Sequence, residues 1–232
     1  METSTKGAPQ QGGMARRQFL RYAGAGAAIT AGVLSLESCS KNHDVYNDHI
    51  DLGSGDPAIL NYAYALEQLE AAFYTQVAAT PYSGISAQES AYLTDIRDHE
   101  IAHREFFKAA LQGNAIPGLT PDFSSIDFTS RTSVLGAAKA FEDLGVSAYN
   151  GVGYMIKTAD YLTLAGKIVS VEARHAALIR ELITPNTFID SSVVDIANTS
   201  LEISKTPAQV LTVANKYLSG KKITFSSVGY YY

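Results

Sequence analysis

Four long segments of the chain carry apolar residues at intervals of three or four positions, the spacing of one buried face on an α-helix. The first segment starts at Asp56-Pro57, an acidic cap with a proline in the first turn, and the second at the capping-box sequence Ser86–Glu89. The four stripes are Ile59, Ala63, Leu66, Leu69, Phe73 and Val77; Tyr92, Ile96, Glu100, His103, Phe107 and Leu111; Ala138, Glu142, Gly145, Tyr149, Val152 and Ile156; and Tyr161, Leu164, Ile168, Glu172, His175, Ile179 and Leu182. The pattern predicts four long helices, and in three of them ionisable residues lie within the apolar stripe.

The connections between these segments predict how the helices are arranged. Short turns join the first helix to the second and the third to the fourth, so each pair should be an antiparallel hairpin. Residues 113–131, between the second and third helices, are rich in Gly, Pro, Ser and Asp. Nineteen extended residues span about 60 Å, whereas a helix of about 24 residues is roughly 36 Å long. We therefore predict an all-α four-helix bundle with one long crossover between helices two and three.

Two further segments flank the predicted bundle, which covers residues 56–184. Residues 40–55 are polar and contain several Gly and Asp residues, which is typical of a tether. Residues 185–232 form a C-terminal extension whose role the sequence leaves open. Within it, Thr206–Gln209 and the apolar residues that follow predict a short fifth helix. Residues 223–232 are compatible with a strand or with a loose tail.

Residues 1–39 have the organisation of an export signal and do not enter the fold prediction. The paired arginines Arg16 and Arg17, followed by Gln-Phe-Leu, resemble a twin-arginine signal. The uncharged run from Tyr22 to Leu36 is about 15 residues long, shorter than the roughly 20 that a permanent membrane helix needs. The alternative is an ordinary secretory signal with a basic start. Either signal predicts an exported protein.

The end of this leader, Leu36-Glu37-Ser38-Cys39, resembles a bacterial lipoprotein processing site. The resemblance implies cleavage before Cys39 and lipid attachment to its sulfur, so that acyl chains alone tether the protein to the membrane. The alternative is a cysteine that follows a signal peptide by chance. We expect a lipid-anchored protein in the bacterial cell envelope, on the periplasmic side, and the sequence does not identify the membrane leaflet.

Composition excludes several other classes of protein. Apolar residues make up 46% of the chain and charged residues 18%, enough to form a sizeable core. The net charge is −5 and no basic cluster follows the leader, so we expect no nucleic-acid partner. The single cysteine excludes an intrachain disulfide and a cysteine-based zinc or iron–sulfur site.

The two predicted hairpins look like diverged copies of one another. Each copy begins with an apolar–Glu–polar–Leu sequence, carries a tyrosine seven residues after that glutamate, and has a Glu-x-x-His sequence on its next helix. In chain order, the repeated residues are Glu67, Tyr74, Glu100 and His103 in the first copy, and Glu142, Tyr149, Glu172 and His175 in the second. The repeat predicts that both hairpins contribute to one site.

Residue types and spacing indicate what that site does. A Glu and a His three positions apart share one helix face, so both can reach the same point inside a bundle. Four carboxylates carry the charge that two divalent cations would neutralise, and carboxylate with imidazole suits iron or manganese. Without cations, six buried ionisable groups would be very costly to desolvate. The alternative is a set of surface glutamates and hydrogen-bonded core histidines. We predict a centre of two metal ions, iron first and manganese as the alternative.

These residues and their positions resemble the ferritin-like superfamily, which includes rubrerythrin and bacterioferritin. The segment from Leu66 to Tyr74 is similar to the exported ferritin-like family related to plant desiccation proteins. The similarity covers about residues 56–184, and it implies no cofactor beyond the metal ions. The metal ligands that it implies are Glu67, Glu100, His103, Glu142, Glu172 and His175.

Three neighbouring positions have alternative roles. Glu70 lies one turn after Glu67 on the same face and is the alternative ligand, although the repeat places Gly145 at the matching position. Tyr74 and Tyr149 are expected beside the ligands, where they would hold carboxylates or pass electrons, or simply pack in the core.

The ligand set supports two function hypotheses. The first is an exported di-iron oxidoreductase, or a ferroxidase-type protein, that reacts with oxygen or peroxide. The second is a non-catalytic envelope stress protein with a structural metal site, which the desiccation-family resemblance favours. The ligands do not identify the substrate or the electron partner. The oligomeric state is also open, with a homodimer among the options.

Overall fold

The computed structural model describes residues 49–225. The predicted leader with Cys39, the first part of the predicted tether and residues 226–232 lie outside the described residues. None of the helices within residues 49–225 combines enough length with enough apolar character to cross a membrane.

Four long helices form the body of the fold: α1 (Gly55–Ala79), α2 (Ala87–Leu111), α3 (Arg131–Val152) and α4 (Ala159–Ile183). The predicted all-α fold is confirmed. Ser86 caps α2 by accepting a hydrogen bond from the Glu89 backbone N–H at 3.1 Å, as the capping box predicts.

The ends of two helices differ from the prediction. Asp56 is not the cap of α1, because Ser54 holds that position. The Asp56 carboxylate instead accepts the backbone N–H groups of Lys157 and Thr158, both at 2.9 Å, and so fixes the start of α4. α3 ends at Val152, before Ile156, because a 3₁₀ turn intervenes.

Hydrogen bonds at the two ends of the crossover establish its course. At its beginning, the Asn61 side chain in the first turns of α1 bonds the carbonyl of Asn114 at 2.9 Å and the backbone N–H of Ile116 at 3.0 Å. At its end, Arg131 in the first turn of α3 donates to Glu89 in the first turn of α2 at 2.6 Å. The crossover therefore runs the length of the bundle, and α2 and α3 point in the same direction, as predicted.

Two apolar clusters fill the bundle, one toward each end. The first contains Leu66, Phe107, Tyr149 and Ile168, and the second contains Phe73, Tyr74, Ile96, Phe141 and Ile179. Along each of the four helices, the glutamates and histidines of the repeat lie between these residues of the first cluster and those of the second. The core is therefore divided by a buried polar layer, which a bundle without a ligand has no reason to contain.

The chain segments on either side of the bundle meet in a small parallel sheet. Strand β1 (His49–Asp51) pairs with β2 (Lys222–Thr224), with Ile50 opposite Ile223. Leu52, immediately after β1, is 1% exposed and extends the pairing to the carbonyl of Thr224. Residues 49–52, at the end of the segment predicted as a tether, therefore pair with the C-terminal segment and pack on the bundle.

The C-terminal extension packs on α3 and α4. The predicted short helix is present as α5 (Pro207–Ala214), with its capping box at Thr206 and Gln209. Arg180 of α4 is 2% exposed and bonds Asp143 at 2.7 Å and Asp190 at 2.8 Å, which joins the extension to both helices. The backbone N–H of Lys205 donates to the carbonyl of Ser147 at 3.0 Å.

The close packing of Lys205 on α3 predicts that Gly151 does not tolerate a larger residue. A Cβ atom there would lie 1.9 Å from the carbonyl oxygen of Lys205, so Gly151→Ala must push the extension off α3. We expect a loss of about 1–3 kcal/mol in the free energy of unfolding, the usual cost of overpacking, measured by urea titration. Gly166→Ala is the control, since nothing lies within 4 Å of a Cβ at that helical position. It should stabilise the protein by about 0.5–1 kcal/mol, and equal effects at both positions would contradict the packing described.

Candidate metal centre

The ionisable residues predicted from the repeat lie together at the middle of the bundle. Their ligand atoms form two groups, each with all atoms within 4.8 Å of one another. One group consists of Glu67, Glu100, His103 and Glu172, and the other of Glu100, Glu142, Glu172 and His175. Glu100 and Glu172 belong to both groups. The four long helices all contribute, and both hairpins supply each group.

Distances from the two imidazoles show how the oxygen atoms divide. Nδ1 of His103 lies 2.7 Å from Glu172 Oε1, 3.5 Å from Glu67 Oε2 and 3.7 Å from Glu100 Oε2. On the other side, Nδ1 of His175 lies 2.8 Å from Glu100 Oε1, 3.4 Å from Glu172 Oε2 and 3.7 Å from Glu142 Oε2. Each shared carboxylate therefore faces one histidine with one oxygen and the other histidine with its second oxygen.

These ligand atoms are buried and are not satisfied by hydrogen bonds. Glu67, Glu100 and Glu142 are 0% exposed. The side-chain atoms of the cluster without a hydrogen-bond partner in residues 49–225 are Glu67 Oε2, Glu100 Oε1 and Oε2, His103 Nδ1, Glu142 Oε2, Glu172 Oε1 and Oε2, and His175 Nδ1. The short nitrogen–oxygen distances thus lack hydrogen-bond alignment, as expected for atoms directed at a shared point. The eight atoms form two sets of four, and this donor set fits two divalent cations.

The pKa values of the cluster also indicate that it requires positive charge. Burial, and then the neighbouring Glu172 carboxylate, raises the pKa of Glu67 well above its usual value. Burial and Glu100 do the same to the pKa of Glu142. Burial opposes ionisation of His103, yet the surrounding carboxylates raise its pKa to about 12. In the absence of metal the cluster therefore retains protons, which cations would replace.

The pKa of Glu100, in contrast to those of Glu67 and Glu142, is shifted toward the ionised form. Burial would raise its pKa, but the two imidazoles of His103 and His175 outweigh burial and lower it to about 2. The same interaction, against burial, raises the pKa of His175 to about 10. A carboxylate held ionised between two imidazoles suits a group that two cations would share.

The two tyrosines of the repeat bond across the copies. Tyr74 donates to Glu142 Oε1 at 2.5 Å, and Tyr149 donates to Glu67 Oε1 at 2.5 Å. In each carboxylate the oxygen not bonded to tyrosine is the one that faces the cluster. The tyrosines therefore fix the orientation of the two carboxylates that belong to one group only.

Glu70 lies outside both groups of ligand atoms. It is 4% exposed, and a Cβ at Gly145 would lie 3.0 Å from its Oε1. Gly145, the position that matches Glu70 in the repeat, thus leaves the space that the Glu70 carboxyl group fills. Burial, followed by the charges of Glu100 and Glu142, raises its pKa well above the usual value. Geometry brings Glu67, rather than Glu70, to the cluster.

His99 makes a contact that its sequence position does not reveal. It is exposed on α2, where the angle between successive residues turns it away from Glu100. Its Nδ1 nevertheless lies 2.8 Å from Nε2 of His175, and the two rings are stacked with centroids 5.1 Å apart. The contact joins α2 to α4, and no spacing within a single helix could have predicted it.

Comparison with known proteins agrees with this geometry. A family model described as the ferritin-like domain matches residues 55–185, from the first residue of α1 to just beyond α4. No curated protein matches the chain significantly.

The retained protons predict how the stability of the metal-free chain depends on pH. The pKa of His175 is raised from 6.5 to about 10, so its stabilisation is complete below about pH 6.5 and is lost as pH rises toward 10. Each proton held only by the folded state gives a slope of about −1.4 kcal/mol per pH unit. Urea titrations in chelator should therefore show falling stability between pH 7 and 9. His175→Gln should reduce the slope, and stability that rises over this range in the wild type would contradict the assignment.

Proposed function

We propose, since this chain belongs to the ferritin-like domain family, that its buried carboxylates and imidazoles hold two metal ions. Iron is the expected metal and manganese the alternative, because carboxylate and imidazole ligands suit both. The observation that carries the proposal is the division of eight unsatisfied buried atoms into two matching sets. Four carboxylates balance the charge of two divalent cations without any further counter-ion.

Each side chain has a defined part in such a centre. Glu67 and Glu142 would each bind one metal through the oxygen that the tyrosine leaves available. Glu100 and Glu172 would contribute to holding both metals, since each faces both histidines. The imidazoles would bind through Nδ1.

We propose oxidoreductase or ferroxidase-type chemistry with oxygen or peroxide at this centre. Bound ferrous ions would supply the electrons for reduction of the oxidant. The protein contributes a fixed ligand geometry and a buried site, which limits access of water to the reacting atoms. Tyr149 keeps Glu67 oriented, and Tyr74 keeps Glu142 oriented, because each tyrosine donates to the carboxylate oxygen that does not face the cluster.

His99 is a positioning residue in this proposal. With a metal held at Nδ1 of His175, the ring proton would be on Nε2, which would donate to Nδ1 of His99 across the 2.8 Å between these atoms. The contact fixes the tautomer and the ring plane of His175. In the second copy of the repeat, the position that matches His99 is Val171, which precedes Glu172 as His99 precedes Glu100. The repeat therefore supplies no equivalent histidine for His103.

Export to the cell envelope and lipid attachment at Cys39 are part of the proposal, supported by the sequence of residues 1–39. Twin-arginine export carries folded proteins, so metal could enter before export. A lipid at Cys39 would hold the bundle at the membrane surface through the residues that precede β1.

The second candidate is a non-catalytic envelope protein, similar in role to the desiccation-related family, whose metals stabilise the bundle. The observation in its favour is that the cluster joins the four long helices, so metal binding would cross-link the fold. The two candidates differ in whether the reduced, iron-loaded chain consumes oxygen.

Replacement of Glu100 by Gln tests the catalytic proposal. We expect the wild-type chain to bind two ferrous ions and to consume oxygen. Glu100→Gln removes the charge of a carboxylate that both groups of ligand atoms share, so the rate of oxygen consumption should fall sharply. Loss of a residue that only supports a ligand typically costs about 10–100-fold, and loss of this ligand should cost more. Glu105→Gln, an exposed position on the same helix, is the control and should behave as the wild type. Metal-dependent thermal stability without oxygen consumption in any of the three proteins would favour the structural candidate.

Two variants of His99 test its positioning role. His99→Leu removes the acceptor for His175 and should lower the metal affinity by about 10–100-fold, measured by competition with a chelator. His99→Asn keeps an acceptor near the position of Nδ1 and should recover part of that loss. Equal affinities for Leu, Asn and the wild type would show that the contact does not orient His175.

A further inference from the structure

A small, partly open cavity lies between residues of the four long helices, on one side of the metal-binding layer. Ten residues line it, and those that the argument uses are Tyr62, Ala63, Leu66, Phe107, Tyr149 and Ala165. Its volume is about 20 Å³. A cavity that holds one water needs roughly 10–15 Å³. The cavity therefore accommodates one very small molecule.

The chemistry of the lining disfavours water. Two of the ten lining side chains carry a polar group, the hydroxyls of Tyr62 and Tyr149. Tyr149 already donates its proton to Glu67. The Tyr62 hydroxyl is buried and has no hydrogen-bond partner in the described part of the chain. A buried water makes about three hydrogen bonds, and this site offers too few, so a small apolar molecule suits it better.

The position of the cavity connects it with one half of the centre. Leu66 directly precedes Glu67, Tyr149 bonds Glu67, and Phe107 lies one helical turn after His103. Tyr149 is thus in contact with the cavity on one side and with a metal-facing carboxylate on the other. A molecule in the cavity is thus connected through Tyr149 to the group formed by Glu67, Glu100, His103 and Glu172.

We propose that this cavity binds dioxygen and delivers it to the Glu67–His103 half of the metal centre. The inference rests on the proposed oxidase-type function and deepens it, because it selects between the two oxidants. Dioxygen is apolar and small, so it gains from an apolar site. Hydrogen peroxide needs several hydrogen-bond partners, and the hydroxyls of Tyr62 and Tyr149, the second already bonded to Glu67, cannot replace those that it has in water.

Xenon binding tests the cavity without any oxidation chemistry. Xenon is an apolar atom that enters dry cavities. Diffraction from xenon-pressurised crystals of the metal-free full chain should show a xenon atom between Ala63, Phe107 and Tyr149. Absence of xenon from this position would overturn the inference, whatever the oxidase activity of the iron-loaded protein.

Filling the cavity tests its role in oxygen delivery. Ala165 is half-buried on α4 and lines the cavity, whereas Ala137 is half-buried on α3 and packs against the other apolar cluster. In the iron-loaded full chain, Ala165→Leu should raise the KM for oxygen by at least about tenfold, the low end of the effect of one methylene group in an apolar pocket. The Ala137→Leu control should keep the wild-type KM, and both variants should keep two iron ions per chain.

The outcomes separate the two proposals. An unchanged KM for oxygen in Ala165→Leu and in a second filling variant, Ala63→Leu, would overturn the delivery role while leaving the oxidase proposal intact. A wild-type chain that binds xenon in the cavity but consumes no oxygen would overturn the proposed function, and the delivery role with it. Peroxide consumption that falls in parallel with oxygen consumption in Ala165→Leu would contradict selection for the apolar oxidant.

Discussion

The structure depends on one electrostatic constraint, the burial of a carboxylate–imidazole cluster between two apolar clusters. Removing several charged groups from water costs far more than any single contact in the fold returns. The pKa values of Glu67, Glu142, His103 and His175 all move toward the proton-bound form, which reduces the net negative charge of the layer. Two divalent cations would meet the same need and would also occupy the unsatisfied ligand atoms. Protons and metals thus compete for one site.

Other features of the fold keep this layer in place. The long crossover makes α2 and α3 run in the same direction, which places the two copies of the repeat face to face around the centre. Tyr74 and Tyr149 exchange partners between the copies, so neither hairpin completes its own half of the site. Gly145 makes room for the buried Glu70, which breaks the symmetry of the repeat. The cavity beside Tyr149 adjoins the half that contains Glu67 and His103, whereas His99 contacts His175 in the other half. The two metal positions would therefore differ in their access to small molecules and in the contacts that orient their ligands.

Sequence alone could predict the helices, the crossover and the cluster, because each is encoded in local spacing. Glu100 with His103 and Glu172 with His175 share a helix face by geometry, and the repeat identifies Glu67 and Glu142 as their partners. Contacts between elements that are far apart in the sequence cannot be predicted from local spacing. A three-residue strand such as β1 lacks a detectable alternation, and the contact of His99 with His175 depends on the packing of α2 against α4. Asp56 has the sequence of a helix cap, yet tertiary contacts with Lys157 and Thr158 determine what its carboxylate binds.

The central claim is that one layer of side chains binds two metal ions between the four long helices. Anomalous diffraction from crystals of the chain loaded with manganese tests it most directly. The account predicts two peaks that share Glu100 and Glu172, one beside His103 and the other beside His175. A single peak, or manganese bound only at surface carboxylates, would contradict it.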